Sequence, residues 1–216
     1  MTFDLVLTGG TVVTANGVVH GDVAVSGERI AAIGAVGTLR ADAGRVIELS
    51  EHQLVLPGGI DPHIHCDDPI PDVRTGGWSH SDGPAVVGRA ALHGGITSIV
   101  DFVTSRHEED LADSIRAVDA RWAQECPVDY SFHVILHGDV PTRHLEGIPA
   151  LVTDGFTSYK VFTTDVRPSP FVSWQINHGS LVELLRLTAD LGATVAVHAE
   201  DDDIVMHEYR VHLESG

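Results

Sequence analysis

The stretch VLPGGIDPHIHCDDP, residues 55–69, sets two histidines one residue apart at the end of an apolar run that opens on a Pro-Gly-Gly turn. Read as the end of a β-strand, it puts His63 and His65 on one face, because side chains i and i+2 of a strand point the same way. Two neutral imidazoles so placed can chelate one metal ion. The other reading is a pair of buried histidines hydrogen-bonded to their neighbours. Asp61 favours chelation, since metal-bound imidazoles usually have a carboxylate or carbonyl partner that fixes tautomer and ring orientation. A complete site then needs ligands from other strands.

Moving outward from this stretch, the chain has two textures. Residues 1–53 show short β-rich runs (FDLVL, TVVTA, DVAVS, RIAAIG, RVIEL) separated by GG, NG, SGE and ADAG turn signals, which predicts a small antiparallel unit. Residues 54–216 alternate apolar runs with helical patterns, as repeated βα units require. The candidate strands there are LVLPGGIDPHIH, ITSIVDF, DYSFHVILH, FTSYKVFTT and ATVAVHAE. Candidate helices lie near 82–93, 108–124, 142–152, 179–191 and 201–214. These strands lack polar alternation, so both faces should be covered and the sheet should be parallel.

With 13 basic and 31 acidic side chains the 216-residue chain carries a formal charge of -18, which repels phosphate backbones and anionic membrane surfaces. Neither nucleic acid nor membrane is expected as a partner. The opening MTFDLVLTGG lacks a basic, then apolar, leader pattern, and no run approaches the roughly 18 apolar residues of a membrane span. A soluble, cytoplasmic chain is the expectation. Cys66 and Cys126 form neither a CxxC pair nor a disulfide framework and read as free thiols.

Lys160 falls inside FTSYKVF, where Phe156, Ser158, Lys160 and Phe162 share a face. Burying an ammonium without a partner costs several kcal/mol, or lowers its pKa. Lys160 is therefore either a snorkelling lysine at a strand end or a neutral amine that takes up carbon dioxide as a carbamate able to bridge two metal ions. His198 in TVAVHAE poses the same choice between core histidine and ligand. The HxH pair, Lys160 and His198 sit near the C-terminal ends of different βα strands, where barrel enzymes assemble their sites.

LPGGIDPHIH, GGITSIVDF, DYSFH, GFTSYKVF and VAVHAE, in this order, resemble the amidohydrolase superfamily and, within it, the hydantoinase and dihydropyrimidinase family. The resemblance implies an α/β fold: a partial (β/α)8 TIM-type barrel of about five strands, preceded by part of a small β-sandwich domain. It implies two divalent metal ions, with His63 and His65 on one, carbamylated Lys160 bridging both and His198 on the second. Lys160 and Asp61 are the candidate catalytic residues. Zinc is the expected metal because imidazole suits it, though manganese, cobalt, nickel and iron accept the same ligand types. A hydroxide held at the metals would attack the carbonyl of a small cyclic amide or imide and open the ring. Such ions lower the pKa of bound water from about 16 to about 7 and polarise the carbonyl.

Two departures qualify the resemblance. Family hydrolases usually carry a tyrosine five residues after the lysine to hold the oxyanion; here Asp165 stands there, and Tyr159, Thr163 or Thr164 would have to compensate. A full barrel also takes about 250 residues, so the sixth-strand histidine and eighth-strand aspartate of the family have no counterpart. His207 and His212, five apart on a predicted helix, lie on different faces. The expectation is the N-terminal part of a longer enzyme, homo-oligomeric when complete and not an efficient hydrolase in this portion alone. Dihydroorotases and many allantoinases place an arginine soon after HxH; Cys66, Asp67 and Asp68 follow here, which disfavours an acidic substrate. The alternatives are a cyclic amidohydrolase of the allantoinase or dihydroorotase type, an inactive fragment, or a non-catalytic dihydropyrimidinase-like scaffold, which typically loses the ligands this chain retains.

Overall fold

The computed structural model describes residues 3–72, 75–166 and 173–215. The chain divides into two compact units, 1–58 and 59–216.

The first unit holds β1 (Leu5–Thr14), β2 (Gly17–Ser26), β3 (Arg29–Gly34), β4 (Val46–Glu48) and β5 (Leu54–Val55). Its sheet runs in the order β3-β2-β1-β4, with β5 also on β1. The hairpins β1–β2 and β2–β3 are antiparallel as expected. β4 and β5 instead pair parallel with β1, so the sheet is mixed. Gly9-Gly10, expected as a turn, lies inside the single strand β1 at a register shift, with Gly9 at φ +82°. A glycine free to take that φ makes a bulge and lets the strand continue. Alternate residues of β1, among them Val6, Thr8 and Val12, are buried. The Thr8 hydroxyl donates to the buried Asp22 carboxylate at 2.5 Å, and the Leu39 N–H donates to its other oxygen at 3.2 Å. Burial by itself would raise the pKa of Asp22; these donors hold it below the ordinary value.

The second unit begins with β6 (Gly59–Asp61) and a hairpin of β7 (Pro69–Asp72) and β8 (Gly77–His80). Four βα pairs and the strands' common sheet follow: α1 (Pro84–His93), β9 (Ile96–Thr104), α2 (Leu111–Glu125), β10 (Asp129–Ile135), α3 (Thr142–Thr153), β11 (Ser158–Phe162), α4 (His178–Leu191), β12 (Thr194–His198) and α5 (Asp202–Ser215). The sheet order β12-β11-β10-β9-β6 is sequential and every pairing is parallel, as in part of a (β/α)8 barrel. The strand expected as LVLPGGIDPHIH is reduced to Gly59–Asp61, with Leu54–Val55 on the first unit's sheet. Pro57 and Pro62 flank β6 and have no N–H to give a ladder.

Burial along the strands has period two. Ile99, Val103, Phe132, Val134, Tyr159 and Val161 face the helices and pack on Leu111, Ile115, Trp122, Ile148, Leu151 and Leu184. Phe102, His133, Ser158, Lys160 and Phe162 occupy the half-buried alternate positions. Asn177 caps α4 by accepting the Gly179 N–H at 2.7 Å, and Gly192 ends it at φ +68°. No described helix is long and apolar enough to cross a membrane.

Candidate active site

Five parallel strands deliver their C-terminal ends to one side of the sheet, and the polar exceptions of the sequence gather there. His63 and His65 lie just past β6. The Asp61 carboxylate accepts the His63 N–H at 3.2 Å, and the Ile64 N–H resumes pairing with the Val100 carbonyl at 3.1 Å. The two imidazole centroids are 5.4 Å apart, and both rings rest on Phe102, at 4.7 and 4.6 Å. His65 Nδ1 is 3.3 Å from Asp68 Oδ2. Lys160 projects from β11 on the same face, its Nζ 5.1 Å from the Phe162 ring centroid. His198, at the end of β12, lies beside Phe162 with centroids 5.6 Å apart, and its Nε2 meets Glu200 Oε2 at 2.6 Å. His65, Phe102, Phe162, Trp174 and His198 help line one cavity of about 640 Å³.

The electrostatics favour uncharged nitrogen. Burial lowers the pKa of His63, and the positive charge of His65, Lys160 and His133 lowers it further, against the opposing pull of Asp61. Burial also lowers the pKa of Lys160. Among the described residues no three His, Cys, Asp or Glu side chains converge on one metal position. A lysine contributes an oxygen donor only after its amine is carboxylated; the nitrogen groups on this face are the His63 and His65 imidazoles, the Lys160 amine on β11 and the His198 imidazole at the end of β12.

Other expected site residues fall elsewhere. Tyr159 is fully buried in the core between sheet and helices, and its hydroxyl donates to the Phe156 carbonyl at 3.0 Å. The expectation that Tyr159 meets substrate is corrected: adjacent strand residues face opposite ways, so the alternation that puts Lys160 on the site face turns Tyr159 away. Thr163 and Thr164 fasten loops. The Thr163 hydroxyl bonds to the Glu200 carbonyl at 2.7 Å, and the buried Thr164 hydroxyl donates to Asp202 at 2.9 Å. Asp165 takes the Trp174 N–H at 3.3 Å, while its own N–H donates to Asp202 at 2.9 Å. His207 and His212 ride on α5.

Sequence reasoning passed over His133 and Asp101. His133 Nε2 lies 2.7 Å from the Pro62 carbonyl and Nδ1 lies 2.5 Å from Ser158 Oγ. Asp101, 3% exposed, accepts the Cys66 N–H at 3.1 Å. The available signal was parity, since His133 alternates with the core residues Phe132 and Val134, and Asp101 shares the core parity of Ile99 and Val103.

Residues 54–213 match the model of the amidohydrolase family. The D-hydantoinase of Streptomyces coelicolor is 34% identical over 204 residues, 93% of this chain and 41% of that protein. A D-hydantoinase crystal structure superposes with TM-score 0.84 at 31% identity, covering 98% of this chain and 43% of that one. The dihydropyrimidinase of Brevibacillus agri superposes with TM-score 0.81 at 34% identity, over 98% and 43%. The chain thus spans about two fifths of the length of these relatives. Because the family match takes in every strand of the parallel sheet together with α1 to α4 and most of α5, the chain belongs to the amidohydrolase family.

Proposed function

We propose that this chain carries the N-terminal portion of a metal-dependent hydrolase that opens small neutral cyclic amides or imides of the hydantoin and dihydropyrimidine class. The observation that carries the reading is the convergence of His63, His65 and Lys160 on one face at the strand ends, with His198 lining the same cavity as His65. His63 and His65 would hold one divalent ion, zinc by preference, His198 a second, and Lys160 would bridge them as a carbamate. The donor set fits: burial lowers the pKa of His63 and so favours its lone pair, and desolvation lowers that of Lys160, whose neutral amine adds carbon dioxide, losing one proton as the N–C bond forms. When bound, such ions supply an acidified water and polarise a carbonyl.

The protein's own groups have definite tasks in this scheme. A carboxylate only accepts, so Glu200 keeps the proton of His198 on Nε2 and leaves Nδ1 as the lone-pair donor. Asp68 near His65 Nδ1 directs the lone pair of that ring to Nε2 in the same way. Asp61 holds the backbone of His63. Asp68 also lines the cavity, and its charge disfavours an acidic substrate. Phe102, Phe162 and Trp174 provide apolar walls that exclude water from a small ring.

The test refolds the chain with zinc and bicarbonate, then measures zinc content and ring-opening of dihydrouracil. Both are read with and without a polypeptide supplying the later strands of a D-hydantoinase barrel. Zinc uptake by the chain and turnover only in the mixture are expected. Negligible zinc in both preparations would refute the reading and favour a non-catalytic scaffold.

A further inference from the structure

We propose that His133 is a positioning residue that sets the His63–His65 segment against the Lys160 strand, with the Pro62 carbonyl fixing its tautomer and Ser158 anchoring its other ring nitrogen. This rests on the reading that His63 and His65 bind metal. The break in the ladder lies at Pro62. Lacking an N–H, it ends β6, and ladder pairing resumes only at Ile64. Between those points the chain carrying the first histidine has left the sheet. What takes up the Pro62 carbonyl is His133 Nε2, 71 residues away in sequence and 2.7 Å away in space.

The hydrogen bonds determine the state of the ring. A carbonyl can only accept, so Nε2 carries the proton. In the neutral ring Nδ1 is then an acceptor, and the Ser158 hydroxyl at 2.5 Å donates to it. The imidazole reaches from β10 over Phe102, centroids 4.9 Å apart, to the end of β6, crossing the intervening strand β9. Ser158 stands two residues before Lys160 on the same face of β11. A continuous path therefore runs from the lysine strand through Ser158 and His133 to Pro62.

That path acts on His63 through one rigid unit. The Pro62 carbonyl and the His63 N–H belong to the same planar peptide group. His133 holds its oxygen edge and the Asp61 carboxylate holds its N–H edge at 3.2 Å. With both edges held, rotation of the peptide is blocked, and the direction in which the His63 side chain leaves the backbone is set. A misoriented ligand costs metal affinity even when every ligand is present.

The experiment uses the full chain labelled with 15N-histidine, and its His133→Phe, His133→Gln and Ser158→Ala variants. Long-range 15N–1H spectra of the metal-free protein in its neutral-imidazole form should show His133 as the Nε2–H tautomer, and Ser158→Ala, which leaves the Pro62 carbonyl in place, should keep it. Zinc titration should show affinity reduced about 10- to 100-fold in His133→Phe. His133→Gln, whose amide N–H reaches the same carbonyl, should return it to within a few-fold of wild type. Amide exchange at His63 should speed up in His133→Phe and recover in His133→Gln. An Nδ1–H tautomer, equal zinc affinity in wild type and His133→Phe, or a failure of glutamine to rescue would overturn the proposal. If the wild-type chain takes up no zinc, the metal reading fails. The tautomer and the His63 exchange rates then decide the latch alone, unchanged exchange in His133→Phe overturning it.

Discussion

Replacing Asp101 by asparagine should flatten the pH dependence of stability of the second unit. The carboxyl is 3% exposed, and burial raises its pKa to about 6 from an ordinary 3.8, while N–H donors from Phe102 and Cys66 pull the other way and Asp68 and Asp67 add repulsion. The folded chain thus binds a proton between about pH 4 and about pH 6 that the unfolded chain has released. The stabilisation is fully present below about pH 4 and is lost as pH rises through about 6. A shift of 2.2 units (6 − 3.8) corresponds to roughly 3 kcal/mol in total. Of this about 1.4 kcal/mol falls between about pH 5 and about pH 8. Asparagine keeps an oxygen to accept the Cys66 N–H, so the substitution removes the charge and spares the contact. Urea unfolding followed by tryptophan fluorescence suits the measurement, because Trp78, Trp122 and Trp174 all lie in the second unit. The other titrating groups of this acidic chain cancel when variant and wild type are subtracted at each pH. The stability of Asp101→Asn relative to wild type should climb by about 1.4 kcal/mol from about pH 5 to about pH 8. Parallel curves would show that Asp101 ionises as an ordinary surface carboxylate and would refute the burial argument.

Further outcomes can be checked independently. Lys160→Ala should lower zinc stoichiometry after refolding with bicarbonate, with partial recovery on adding a short carboxylic acid; unchanged stoichiometry would remove the carbamate from the site. Tyr159→Phe should cost about 1 kcal/mol in urea unfolding, the worth of its bond to Phe156, and leave zinc affinity unchanged; a change in zinc affinity would return Tyr159 to the site. Burial pushes the Cys66 thiol up to about 12 and raises that of Cys126. Alkylation of both in mildly alkaline buffer should therefore be slower than in urea by the ratio of thiolate fractions, which peptide mass spectrometry of the two cysteines would read.

The βα rhythm was legible because Ile96–Thr104, Asp129–Ile135 and Thr194–His198 are short Val-, Ile- and Phe-rich runs separated by helical patterns. Direction in the first unit was not: turn residues mark where a strand stops, and nothing local says that Val46–Glu48 will lie parallel to Leu5–Thr14. The hairpin Pro69–Asp72 with Gly77–His80 escaped for a related reason, since PIPD and GWSH carry neither alternation nor strong β-propensity and are strands only through each other. At the site, His63, His65, Lys160 and His198 stood out as polar residues in apolar strands. The same parity, applied one residue further, separates the rest. Tyr159 shares the face of Val161 and belongs to the core, whereas His133 alternates with Phe132 and Val134 and must face the site. Period two therefore says which side chains share the face, but not which of them reach one another. His133 meets Pro62 across an intervening strand because the sequential parallel order brings β6 and β10 to either side of β9. A contact spanning 71 residues is a property of strand order, and strand order is what connects a polar residue in DYSFH to the histidine pair in DPHIH.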